Sequence, residues 1–289
     1  MFTPEEVAAA NAAIDKRAEA IVERKGDLRL GGKQGDPLAG DGETGRADLG
    51  GMLGWEAPDN AVFRKVLTHP KLLPYYHAMI GEGYRMDHLP LLIQQAPGAD
   101  GFVFHGGKMN DDGTWCEELA YQWQGGKMYN RLLAVSVALT ETKEGDGGFC
   151  AIRGSHKSNM PCPGSIQRYE THRELVDNPA LKPGDVLFFT EAMTHGTLPW
   201  SAEHTRRACL YRFAPAGSAY GRSYFPAWDA SMLEGLTEAE AAVLEPPYHP
   251  RLDRPSLTIK GDDVTVVGQR RADWKKDHDK KVFGYSKYF

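Results

Sequence analysis

Long apolar runs are missing from this 289-residue sequence. None approaches the ~20 residues that a membrane helix needs, so no membrane association is expected. Cysteine is sparse, and the four present (Cys116, Cys150, Cys162, Cys209) include no C-x-x-C pair. That spacing argues against a zinc site or a disulfide framework and suits small buried apolar side chains. A basic excess is lacking too. Lys and Arg number 34 against 39 Asp and Glu, a formal net charge of −5, so no global field points to a nucleic-acid polymer. Residues 1–6 have neither the basic nor the apolar region of a signal peptide, and the expected location is the cytoplasm.

What is present is the composition of an enzyme-sized globular chain, 41% hydrophobic and 25% charged. Residues 3–25 predict a helix: Thr3 suits the N-cap, Pro4 the first turn, and Glu5 and Glu6 the positive dipole end. Residues 26–54 hold ten glycines and read as one long loop of the kind that forms lids. Gly40, Gly42 and Gly45 within it formally match G-x-G-x-x-G. No strand precedes them and no helix follows, so the dinucleotide reading is rejected.

Residues 59–67 and 70–80 predict helices. Strands are predicted over 84–95, 101–105, 132–140, 148–153, 186–190 and 208–213, and short helices over 171–180 and 237–245. The last twenty residues carry seven Lys or Arg (Arg270, Arg271, Lys275, Lys276, Lys280, Lys281, Lys287) among Trp274, Phe283, Tyr285, Tyr288 and Phe289. They predict a solvated tail whose aromatics pack on the body, or else a contact with a phosphate or a partner. Helices followed by many short strands indicate an α+β fold. A single domain is expected, with a helical part over about 1–82, a β-core over about 83–215 and an extension over about 216–289.

Three segments carry a more specific signal. The first is Gly145-Asp146-Gly147-Gly148-Phe149-Cys150-Ala151-Ile152-Arg153-Gly154-Ser155-His156-Lys157. The second is Leu181-Lys182-Pro183-Gly184-Asp185-Val186-Leu187-Phe188-Phe189. The third is His195-Gly196-Thr197, with Arg206-Arg207-Ala208-Cys209-Leu210-Tyr211-Arg212-Phe213 eleven residues on. In order and spacing they resemble the phytanoyl-CoA dioxygenase family of Fe(II)/2-oxoglutarate oxygenases, over roughly residues 55–215. The resemblance implies a double-stranded β-helix (jelly-roll) core flanked by helices, with Fe(II), 2-oxoglutarate and O2 as cofactors and a small molecule as substrate.

Carried over by position, it implies that His105 and His195 are metal ligands. It also implies that Arg206 grips the far carboxylate of 2-oxoglutarate, with Arg207 as the rival. Arg suits that task because its planar fork stays charged and binds a carboxylate bidentately. His156 would be a turn residue.

The departure from the family lies at Gly107, where its His-x-Asp pattern places the third, acidic ligand. The resemblance to His-x-Gly halogenases implies a chloride at that position and radical transfer of chlorine to a substrate carbon, with a nucleotide or nucleoside among the candidate substrates. Three alternatives stay open. Asp111, Asp112, Glu117 or Glu118 supplies the missing acid; the enzyme is a hydroxylase; or the chain has lost iron and binds without catalysis. For substrate contact, Lys108, Trp115 and Trp123 are the candidates, combining stacking surfaces with an ammonium.

Overall fold

A computed structural model describes residues 1–110, 112–221, 228–249, 254–267 and 271–284. Among them are fourteen strands. They are β1 (Val22–Glu23), β2 (Ala47–Leu49), β3 (Arg85–Gln95), β4 (Phe102–His105), β5 (Tyr121–Gln124), β6 (Lys127–Asn130) and β7 (Leu133–Ala138). There follow β8 (Gly148–Ile152), β9 (Val176–Asp177), β10 (Val186–Thr190), β11 (His195–Leu198), β12 (Arg206–Ala214), β13 (Ser256–Lys260) and β14 (Asp263–Val267). Three helices precede the core: α1 (Pro4–Asp15), α2 (Ala61–Thr68) and α3 (Leu73–Ile80).

A six-stranded sheet runs β1-β2-β3-β12-β7-β10, and a four-stranded sheet runs β4-β11-β8-β9. All their pairings are antiparallel. β5–β6 and β13–β14 are separate hairpins. Two facing antiparallel sheets with helices on the outside of the larger one make the α+β jelly-roll that the sequence predicts.

Successive side chains of a strand point to opposite faces, and β7, β10 and the C-terminal half of β12 keep that alternation. Cys209, Tyr211 and Phe213 of β12, Leu133, Val135 and Val137 of β7, and Val186 and Phe188 of β10 pack with Val7, Ile14, Phe63, Leu67 and Tyr76 of the helices. The intervening Leu210, Ala134 and Phe189 pack the other way, with Phe149 of β8. A one-residue slip would exchange the two sets, so the register is fixed by burial on both faces.

Several predicted boundaries move. α1 has the expected Thr3–Glu6 capping box but ends at Asp15. Beyond it lie a single 3-10 turn and then β1, because Val22 and Glu23 pair with Asp48 and Ala47. The segment over 26–54 is packed rather than free, since it supplies β2 and buries Leu38, Leu49, Met52 and Leu53. Its G-x-G-x-x-G is a turn. A Cβ on Gly40 would sit 2.3 Å from the Gly98 carbonyl, and Asp41 caps the N–H groups of Glu43 and Thr44.

The helix predicted over 171–180 is a 3-10 turn (Arg173–Leu175) followed by β9, which pairs with β8. Pro179, with no N–H, suits the end of that short edge strand. The helix expected over 237–245 is Glu238–Val243. Asp273–Phe283 is an unanticipated helix in the basic C-terminal stretch. Asp279 is buried there between Arg271 and Lys275, while Trp274 and Phe283 are exposed instead of packed on the body. Arg270, Tyr285, Lys287, Tyr288 and Phe289 lie outside the described residues. Among the described residues no helix is long and apolar enough to cross a membrane.

One buried carboxylate ties the chain after β12 back onto the larger sheet. Asp87 accepts from Arg85 and from the N–H groups of Tyr220 and Gly221, and its Oδ2 lies 2.8 Å from Nδ1 of His88. Burial acts to raise its pKa, but the His88 and backbone hydrogen bonds outweigh it and hold the group down at about 2. A depressed carboxylate stabilises above its unfolded pKa, and that contribution is lost as pH falls through the folded one. Asp87→Asn is therefore expected to cost roughly 2 kcal/mol at pH 7. The loss should shrink toward zero between about pH 4 and 2, as urea unfolding at the two extremes would measure.

Candidate metal centre

The sheets enclose a cavity of about 200 Å³ lined by His105, His195, Phe149, Phe189, Ser136, Leu210 and four arginines: Arg24, Arg46, Arg206 and Arg212. His105 ends β4 and His195 begins β11, and the two residues are register partners across the sheet. Their rings are 4.3 Å apart between centroids. Each ring is oriented by its own backbone. Nδ1 of His105 lies 3.0 Å from the Val103 carbonyl, and Nδ1 of His195 lies 2.8 Å from the Met193 carbonyl. A carbonyl only accepts, so each Nδ1 carries the proton and each neutral ring keeps its lone pair on Nε2. Metal-binding histidines are held in this way.

A third side chain joins them that the sequence reading passed over. Glu191 is buried directly after β10, with Oε2 3.6 Å from Nε2 of His195 and Oε1 2.7 Å from Nε of Arg212. Single ligand atoms from His105, Glu191 and His195 all lie within 4.8 Å of one another. The alternation of β10 carries the missed signal. Leu187 and Phe189 face inward, and one further step of two reaches Glu191, whose N–H continues the ladder to the Leu132 carbonyl.

Burial governs the titration of the imidazoles. It lowers the pKa of His195 to about 4 against the opposing pull of Glu191, and it lowers that of His105. Burial acts to raise the Glu191 pKa, but His195 and Arg212 bring it below the usual range. Near neutral pH the site thus presents two neutral imidazoles and one carboxylate, a donor set that suits a divalent first-row metal.

The two arginines of β12 separate by parity. Arg206 points inward, is buried, and donates to Gln95 at 3.0 Å. Burial, with Arg46 nearby, lowers its pKa to about 10, which leaves it charged at pH 7. Gly148 makes room for it, because a Cβ there would lie 2.6 Å from its Nε. Arg207 points outward to Asp15 and Gln94.

The remaining predicted residues are not drawn into this cavity. Lys108 lies 5.3 Å from the Trp115 ring, and Trp123 is exposed on the β5–β6 hairpin. Of the loop acids, Asp112 caps Thr114, Glu117 bonds Trp115 and Arg131, and Glu118 lies by Cys116. Asp111 lies outside the described residues. His156 packs edge-on against Tyr121, away from the cavity lining.

Gly107 has φ +100°, and its N–H donates to the Glu191 carbonyl at 2.8 Å. An L side chain is strained at that φ by roughly 1–3 kcal/mol. Gly107→Asp is accordingly expected to lower unfolding stability by about that amount, read from the denaturant midpoint.

The family model of phytanoyl-CoA dioxygenase (PhyH) matches residues 1–208. An ectoine dioxygenase of Streptomyces coelicolor is 27% identical over 124 residues, which are 43% of this chain and 38% of that protein. The match therefore spans less than half of that relative's length. The crystal structure of HygX from Streptomyces hygroscopicus, with nickel and 2-oxoglutarate bound, superposes with a TM-score of 0.58. It is 18% identical and covers 81% of this chain and 87% of its own. AviO1 from Streptomyces viridochromogenes gives a TM-score of 0.52 at 14% identity over 76% of this chain and 89% of its own. At these identities the two structures speak for the fold.

Proposed function

The chain belongs to the phytanoyl-CoA dioxygenase family, and from that premise we propose that it is an Fe(II)- and 2-oxoglutarate-dependent oxygenase that hydroxylates a small molecule. The observation that carries this reading is the pairing of His105 with His195 across β4 and β11, a ligand atom of each within 4.8 Å of the other, in one cavity with Arg206. His105 and His195 would hold the iron. When bound there, iron supplies the activation of O2 that couples oxidation of 2-oxoglutarate to succinate and CO2 with insertion of the second oxygen atom into a substrate C–H bond.

The protein's own part is positioning. Arg206, fixed by Gln95, offers a desolvated cation to the far carboxylate of 2-oxoglutarate. Ser136 is a hydroxyl donor on the same wall. Phe149 and Phe189 shield the imidazoles, packing 6.2 Å and 4.7 Å from the His195 ring. Arg24 and Arg46 share Asp48 at a further edge of the cavity and leave it positive overall, which favours anionic ligands. The expected range is therefore a small metabolite, and ectoine is the first compound to try because the matched relatives are named for it.

Halogenation is the second reading, favoured by the missing acid at Gly107. It needs an open position for chloride, and the Glu191 carboxylate beside His195 and His105 would compete with a halide for the metal.

The test is succinate formation from 2-oxoglutarate under air, with and without Fe(II), across a panel that begins with ectoine. Fe(II)-dependent succinate that rises with one panel member, with that product gaining one oxygen atom, is the expected result. No Fe(II)-dependent succinate above a heat-killed control would contradict the proposal, and a chlorinated product would move it to the second reading.

A further inference from the structure

We infer that Glu191 is the metal-ligating carboxylate of this chain, standing at the end of β10 in for the acid that would otherwise follow two residues after His105. The inference rests on the Fe(II) reading above and adds a ligand that the family's His-x-Asp pattern does not contain.

The Nδ1 hydrogen bonds leave unprotonated Nε2 atoms on His105 and His195. A carboxylate oxygen lies 3.6 Å from one of them, in a group that is 8% exposed. Ligand atoms of His105, Glu191 and His195 therefore converge within 4.8 Å of one another in a buried place. Burying such a set is costly unless a cation lies among them.

The carboxylate is divided between two tasks. Arg212 holds Oε1 at 2.7 Å and leaves Oε2 facing the imidazoles. An outer partner that fixes one oxygen while the other is presented is the usual support of a carboxylate ligand.

The 105–107 backbone and the turn from Glu191 to His195 lie directly against each other. A Cβ on Gly106 would fall 2.5 Å from the Met193 carbonyl, and the Gly107 N–H bonds the Glu191 carbonyl. Two successive positive-φ glycines allow that approach. The turn that brings Glu191 in also holds Gly107 at φ +100°, where an L side chain is strained although a Cβ would meet only Thr194 Oγ1 at 4.0 Å.

Cobalt(II), added anaerobically to the full-length metal-free protein, tests this without turnover. Calorimetry gives the affinity and the visible spectrum reports the coordination. Wild type is expected to bind at a single site, with Glu191→Ala and Glu191→Gln each weaker by at least about 10-fold. The Gln variant keeps an acceptor for Arg212, so it answers the question even if the Ala variant fails to fold. Variants that bind as tightly as wild type would overturn the role of Glu191 while leaving the iron reading in place. If wild type itself binds no cobalt, both fall.

Discussion

His195→Ala is expected to lose Fe(II) binding by more than about 100-fold and to bring 2-oxoglutarate-dependent succinate formation to background. Removing an outer partner of a metal ligand costs roughly 10–100-fold, and a ligand itself costs more. His195 is buried, set in register against His105, and aimed by the Met193 carbonyl, so no neighbouring side chain can take its place by a change of rotamer. His105→Ala should behave in the same way, because its Val103 hydrogen bond gives it the matching orientation. The deleted imidazole leaves a hole beside Phe189 and Phe149 that costs roughly 1–3 kcal/mol, so circular dichroism should show a folded protein. His156→Ala is the control. Its ring rests on Tyr121 outside the cavity, and metal affinity should be retained. If His195→Ala binds Fe(II) as wild type does, the metal lies elsewhere.

The second large effect is expected at Arg206. Arg206→Lys should raise the KM for 2-oxoglutarate by about 100-fold, on the order of 3 kcal/mol, with a smaller fall in kcat. A lysine keeps the charge, but its ammonium is a point donor without the planar fork that grips both oxygens of a carboxylate. It also gives up the bond to Gln95 that fixes the guanidinium in place. Arg207→Ala supplies the contrast. Arg207 faces the helix side, where its Asp15 partner is 62% exposed. Losing that pair is expected to shift stability by about 1 kcal/mol at most and to leave the KM alone. An equal rise in KM for both variants would mean that the parity of β12 is not what selects the cosubstrate residue.

That parity was readable from the sequence. The run from Arg206 to Phe213 alternates Cys209, Tyr211 and Phe213 with Arg206, Leu210 and Arg212, and an alternating strand buries its larger apolar set against helices. The strand carrying His105 is equally legible, because its apolar run follows a turn of Gly and Asp. β11, which carries His195, is not predicted: His195-Gly196-Thr197-Leu198 has no apolar run and is a strand because it pairs with β4 and β8. Glu191 is not legible in the same way, because the missing acid is expected in the loop after His105. Distance along the chain is a poor guide in a jelly-roll, where the ends of β4 and β10 meet although 85 residues separate His105 from Glu191. The short edge strands β1 and β9 were missed for a related reason. Two residues carry no periodicity, and they are strands only because β2 and β8 offer open edges to pair with. Lys108, Trp115 and Trp123 have the chemistry of substrate contacts but do not line the cavity.

The central claim is that His105, His195 and Arg206 form one site for Fe(II) and 2-oxoglutarate. Its most direct test is anaerobic addition of Fe(II) and then 2-oxoglutarate to the wild-type protein, followed in the visible region. Chelation of a 2-oxo acid to protein-bound iron gives a metal-to-ligand charge-transfer band. The account predicts a band that needs both components, saturates at a single site and is lost in His195→Ala. A spectrum that stays flat when both are present would contradict it.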